Sequence, residues 1–254
     1  MTTRDSSELD RSTGPVTWLR SVLYALAFAV WAVIACLGLL PLMIRRSWTP
    51  TAIRIWNTGN VVLARFVAGV RCRVEGLEHL PAEPCIVASQ HQSSYETFRV
   101  FVDLRHPVLV LKQELIRIPF IGWYMLRGGM VSIDRAAGAA AMRKTMRATK
   151  AALASGRHVV IFPEGTRAPP GTVLPFRPGI AALYLHCDVP VIPVALDSGW
   201  FWGKTRLLKR PGHITVRFLP PLPPGLSKDE MLERLHASIS EATRSLPGNS
   251  AAAG

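Results

Sequence analysis

Acidic residues are scarce in this chain. Only 17 Asp and Glu stand against 30 Lys and Arg in 254 residues, a formal net charge of +13. That imbalance rules out a surface tuned to cationic partners and leaves two anionic ones: nucleic acid, or a membrane surface carrying acidic substrates. Between Arg105 and Lys150 nine Lys and Arg face two acids, Glu114 and Asp134. Cysteine is scarce too. Cys36, Cys72, Cys85 and Cys187 are widely scattered with no Cys-x-x-Cys pair, so neither a zinc site nor a disulfide framework is indicated, and a reducing compartment is the default. No Gly-x-Ser-x-Gly elbow surrounds Ser93 or Ser94, which argues against a serine lipase or thioesterase. There is no internal repeat.

Apolar residues are abundant instead, at 49 %, with a mean hydropathy of +0.22. Ser21 through Ile44 run 24 residues without a charge, between Arg20 and Arg45-Arg46. As a helix that is about 36 Å long, enough to cross a hydrocarbon core of about 30 Å. A secretory signal would need a small-residue cleavage site before Arg45, and none is evident. Pro41 interrupts the run, and Thr51 to Val70 reads as a second apolar helix with only Arg54 and Arg65 charged. Spanning and lying in the interface therefore both remain open. Arg45, Arg46 and Arg54 favour the cytoplasmic side of an inner membrane for the chain beyond the first helix. The expected organisation is a flexible amino terminus at 1–17, membrane-associated helices at 18–70, a catalytic domain at 71–246 and a flexible tail at 247–254.

From Arg71 onward short apolar runs alternate with helical stretches. Strands are expected at Val74–Gly76, Cys85–Ser89, Val108–Leu111, Met130–Ile133, Val159–Phe162, Val191–Ala195 and Ile214–Leu219. Helices are expected near Tyr95–Asp103, Glu114–Leu126, Ala139–Ser155, Gly179–His186 and Lys228–Ser245. This is an α/β pattern: a mostly parallel sheet flanked by helices, preceded by a membrane-associated helical segment.

Four stretches carry chemistry. His91-Gln92-Ser93-Ser94-Tyr95-Glu96 follows an expected strand, and a turn there brings Glu96 back to the imidazole, fixing its tautomer and freeing the other nitrogen as a base. The same Ser93-x-x-Glu96 spacing also fits a helix-capping box. Gly129 to Arg135 is a strand ending in Asp134-Arg135, where the arginine offers a fork to phosphate or merely pairs with its neighbour. Phe162-Pro163-Glu164-Gly165-Thr166-Arg167 follows a strongly apolar strand; Gly165 allows close approach, and Thr166 and Arg167 supply donors to an oxyanion or phosphate. Val189-Pro190-Val191-Ile192-Pro193-Val194 holds two prolines, which disfavour a central strand and fit an edge strand or a channel wall.

In this order the four stretches resemble the blocks of the glycerolipid acyltransferase family, and within it the 1-acylglycerol-3-phosphate acyltransferases. Lys112-Gln113-Glu114-Leu115, Pro119–Trp123 and Phe176-Arg177-Pro178-Gly179 are similar to that family too, over roughly residues 70–220. Glu96 departs from its usual Asp, and Ser132 from a bulkier residue. The resemblance implies transfer of an acyl group from acyl-ACP or acyl-CoA to the 2-hydroxyl of lysophosphatidic acid. It implies His91 and Glu96 as the catalytic pair, and Arg135, Glu164, Gly165, Thr166, Arg167 and Lys112 around the substrate. It calls for no metal and no bound cofactor beyond the thioester co-substrate. Its partners are the lyso-lipid, the acyl donor and anionic membrane lipid, not nucleic acid. A lyso-ornithine lipid is the alternative acceptor, and a non-enzymatic lipid-binding module is a further possibility.

Overall fold

The computed structural model of the chain describes residues 14–134, 138–203 and 207–250. Residues 1–13, Arg135 and the last four residues lie outside that set, so the expectations placed on them are not addressed by the fold. Seven strands form one sheet: β1 (Val70–Glu75), β2 (Ile86–Ser89), β3 (Val108–Lys112), β4 (Val131–Ile133), β5 (Val159–Ile161), β6 (Val191–Leu196) and β7 (Gly212–Phe218). Their order is β1-β7-β6-β2-β5-β3-β4, and every pairing is parallel except β6 with β7.

Strand alternation sorts the core onto two faces. Val87, Leu109, Leu111, Val160, Ile192 and Val194 face one way, under α1 (Pro15–Gly38), α2 (Thr49–Leu63) and α3 (Tyr95–Asp103). The short α4 (Ile121–Arg127) lies at the margin of that layer. Ile86, Ala88, Val108, Val110, Val159 and Val191 face the other way, under α5 (Gly138–Ala154), α6 (Gly179–Cys187) and α7 (Lys228–Ser245). The three-layer arrangement is the one expected from alternating strands and helices.

α1 is long and apolar enough to cross a membrane by length and composition. It does not stand apart from the domain. Ser21, Tyr24 and Ala35 are buried, Phe28 packs on the core, and Trp31 stacks on Trp56 of α2 with its Nε1 donating to the Trp56 carbonyl at 3.2 Å. These positions recur at helical spacing, so one stripe of α1 lies along the domain for its whole length. The other side carries exposed Trp18, Leu19, Leu23, Leu26, Val30, Val33, Ile34 and Leu37. The helix starts at Pro15, earlier than its apolar run, and ends at Gly38, before Pro41 passes it into a 3₁₀ turn at Leu40–Met43.

Two local expectations are corrected. β6 is central, not an edge strand: its six residues are all buried between β2 and β7. Pro193 is tolerated because its carbonyl accepts the Leu219 N–H at 2.9 Å, so its missing donor faces the β7 side. There the ladder is interrupted between the Val191–Leu222 bridge and Val194. The single helix expected at Glu114–Leu126 is divided at Pro119 into a 3₁₀ turn, Gln113–Arg117, and α4. Beyond Leu246 the chain turns into a short helix, α8 (Pro247–Ser250), held by Gly248 N–H on Asp197 Oδ2 at 3.0 Å.

Candidate active site

The carboxyl ends of β6, β2 and β5 lie side by side and lead into residues 197–202, 90–94 and 162–167. In parallel sheets this edge collects functional loops, because each strand hands its chain to a loop at the same end.

Glu96, in the first turn of α3, is buried beneath the loop at 2 % exposure. Its Oε1 accepts from His91 Nδ1 at 2.9 Å and from the backbone N–H groups of Gln92 and Ser93, each at 2.7 Å. Its Oε2 accepts from the hydroxyls of Ser93 at 2.5 Å and Ser198 at 2.9 Å. Burial alone would raise this carboxyl, but the imidazole and the Ser93 donors outweigh it and hold the pKa below the ordinary carboxylate value. Of the capping box only half forms: Glu96 accepts the Ser93 N–H, but the N-cap of α3 is Ser94 and its side chain does not cap the helix. With Nδ1 bound to Glu96, Nε2 is the nitrogen left for chemistry. The ring is mostly covered and stacks on Phe162, 4.3 Å between centroids at 22°.

The His91 backbone is clamped as well. Its N–H donates to Glu164 Oε2 at 3.2 Å, and its carbonyl accepts from Ala168 N–H at 2.7 Å. Glu164 is buried, and its other oxygen accepts the Leu174 N–H at 3.1 Å. Burial pushes its carboxyl up to about 7, against the lowering effect of those two donors. Gly165 turns the chain at φ +66°, a conformation that disfavours any side chain, and its N–H closes the turn on the Phe162 carbonyl at 3.0 Å. Thr166 is exposed on that turn and Arg167 is half-buried beside it.

The structure thus brings His91, Glu96, Glu164 and the 162–167 turn together. Glu164 lies behind the histidine and Thr166 faces outward. Lys112 is exposed at the carboxyl end of β3, on the same sheet edge but two strands from β2. Arg135 lies outside the described residues; β4, the strand that precedes it in sequence, is the outermost. Ser93 and Ser94 are committed elsewhere, to Glu96 and as acceptor of Trp202 Nε1–H at 3.0 Å.

Sequence reasoning missed the far side of the loop. Ser198 joins Glu96, Gly199 N–H donates to Gln92 Oε1 at 3.0 Å, and Gln90 Oε1 accepts from Leu196 N–H and the Thr243 hydroxyl. Asp197 is buried and accepts from Thr215 and Gly248 N–H groups. The available signal was the small polar cluster Asp197-Ser198-Gly199 after a fully apolar strand.

A mostly parallel sheet with a His–Glu pair at the carboxyl end of a central strand defines an α/β protein with an oriented imidazole on its loop-bearing edge. The sequence profile of the family described as Acyltransferase matches residues 71–197. The 1-acyl-sn-glycerol-3-phosphate acyltransferase of Pseudomonas aeruginosa is 34 % identical over 208 residues, 80 % of each chain. The mouse enzyme of that name, form alpha, is 32 % identical over 173 residues, 66 % of this chain and 61 % of its own. The fold is similar to the crystal structure of the 1-acyl-sn-glycerophosphate acyltransferase of Thermotoga maritima, with a TM-score of 0.75 and 22 % identity over 90 % of this chain and 96 % of that one. The chain belongs to the acyltransferase family.

Proposed function

We propose that this chain moves a fatty acyl group from a thioester, acyl-ACP or acyl-CoA, to the 2-hydroxyl of 1-acyl-sn-glycerol 3-phosphate, giving phosphatidic acid for phospholipid synthesis. The observation that carries the reading is the imidazole held by Glu96 at 2.9 Å with Nε2 left over, in a chain whose relatives bear that activity in their names. His91 Nε2 takes the proton of the acceptor hydroxyl as its oxygen attacks the thioester carbonyl. The tetrahedral intermediate then collapses, the C–S bond breaks, and the imidazolium returns its proton to the leaving thiolate. Glu96 stabilises the imidazolium while it exists and holds its tautomer before and after. Positioned bases of this kind contribute about 10²- to 10⁴-fold.

Arg135, Arg167 and Lys112 hold the acceptor phosphate in this reading, with Glu164, Gly165 and Thr166 shaping the turn between them. The thioester is the only other reactant, and the chemistry as written calls on no resident cofactor. The protein works at the cytoplasmic face of the inner membrane. The seating of α1 along the domain, apolar side outward, favours a helix lying in the interface over one crossing it.

The test is acyl transfer by purified, detergent-solubilised protein. Lysophosphatidic acid and lyso-ornithine lipid are offered side by side with each donor, and His91→Ala serves as the blank. Phosphatidic acid made by the wild type alone is the expected result. Preference for the ornithine acceptor would move the protein to another lipid, and near-normal turnover by His91→Ala would remove the mechanism.

A further inference from the structure

At the opposite end of the parallel strands from His91, the chain builds a second basic feature. Met43, Arg46, Trp123, Leu126 and Arg127 line an open groove of about 400 Å³. It lies where β3, β4 and β5 begin. Arg127 is fixed there by its Nη2 donating to the Ile44 carbonyl at 2.7 Å. Arg157, just before β5, donates to the carbonyls of His106 at 2.9 Å and Pro107 at 3.2 Å.

Two groups beside the groove feel the cations around them. Burial and then Arg46 pull the Arg157 guanidinium below its ordinary pKa; burial, Arg105, Arg157 and Arg54 do the same to His106. Among the described residues no ion pair involves Arg46, Arg105, Arg127 or Arg157. Asp103, which feels Arg54, is already bound to Arg99 at 2.6 Å. Arg46, Arg105 and Arg127 are exposed, so their charge is open to an anion from outside.

The rest of the groove says which kind. Trp123 is 57 % exposed and Leu126 53 %, and the adjoining Ile44 is 74 % exposed. Together with Met43 they continue the apolar outer side of α1 up to the arginines. Guanidinium forks suit a phosphate, and a tryptophan above an apolar floor suits the headgroup–acyl boundary. A soluble anion would leave that floor in water.

We propose that this groove holds the phosphate headgroup of an anionic bilayer glycerophospholipid, with the glycerol and upper acyl chain lying against Trp123, Leu126 and Met43. The proposal rests on the membrane-associated reading above and adds a lipid site separate from the catalytic edge. The site fixes how the domain sits on its bilayer.

The test compares wild-type protein with Arg46→Gln/Arg127→Gln for binding to phosphatidylcholine vesicles, with and without phosphatidylglycerol. At about 1 kcal/mol per basic residue near an anionic surface, the double variant should bind the anionic vesicles about 30-fold more weakly. It should bind the neutral vesicles as before and keep its acyl transfer in detergent. Arg234→Gln/Arg244→Gln, two arginines of the distant α7, should change nothing. Arg127→Lys keeps the charge without the fork, should fall between, and guards against a folding defect in the double variant. Unchanged anionic binding by the double variant overturns the proposal. Equal loss in the α7 control overturns it in favour of diffuse attraction. Loss of acyl-carrier-protein binding with vesicle affinity intact overturns it in favour of a protein partner. Failure to acylate lysophosphatidic acid in detergent, with this lipid binding retained, would sink the proposed reaction alone.

Discussion

Glu96 shows how one side chain settles a tautomer. Five donors converge on its two oxygens, so an uncharged replacement leaves at least one N–H or O–H facing an amide donor. Glu96→Gln should lower kcat about 10²-fold with little change in KM, measured by initial rates. Glu96→Asp should fall between, because the shorter arm keeps the charge but cannot reach all five donors. Glu164 gives a pH signature of opposite sign. Its pKa is about 7 in the folded chain and near the ordinary 4.5 when unfolded, so the folded state binds the extra proton between those values. This group's contribution is therefore fully present below about pH 4.5 and lost as pH rises to about 7, roughly 3 kcal/mol at most. Urea unfolding across pH 4.5–7.5 should show that slope in the wild type and lose it in Glu164→Gln. Such roles were half legible. The His91–Glu96 spacing stands in the sequence, but Ser198 reaches Glu96 across 102 positions that no local pattern encodes.

Elements followed the sequence where the signals were local. α3 and α7 have the expected bounds; α7 carries the Ser227–Glu230 capping box, with the Ser227 hydroxyl accepting the Glu230 N–H at 3.3 Å. β6 misled because proline's cost depends on which neighbour its nitrogen faces, and that is a property of the sheet. The seating of α1 was also invisible, since its apolar run looks alike on both sides. Gly59 of α2 is what permits the close approach: a Cβ there would stand 2.3 Å from the Trp31 ring. Gly59→Val should therefore cost about 1–3 kcal/mol and lower Tm by several degrees in a thermal scan. Gly38→Ala, inside the helix with nothing within 4 Å, should not lower Tm.

At the scale of the whole molecule, the last described helix reaches the site through intermediates. α8 pins Asp197, and Asn249 Oδ1 accepts from Trp200 Nε1–H at 2.5 Å; between them, Ser198 and Gly199 support Glu96 and Gln92. Deleting residues 247–254 should remove about 2 kcal/mol of stability, of the order of one charge-assisted hydrogen bond, and lower kcat more than it raises KM. Denaturant melts and steady-state kinetics of the truncated chain check both.

That wiring has a consequence for timing during synthesis. The central strands β2, β6 and β5 are made far apart, and β6 must be laid between β2 and β7 when most of the chain already exists. The histidine loop receives its donor from Ser198 only after that, and Asp197 waits for Thr215 and then Gly248 to supply its two donors. At about 5–20 residues per second, the nascent chain spends about 8–30 seconds with His91 translated but its support incomplete. A nascent chain thus completes its amino-terminal helix long before the histidine loop is held in place.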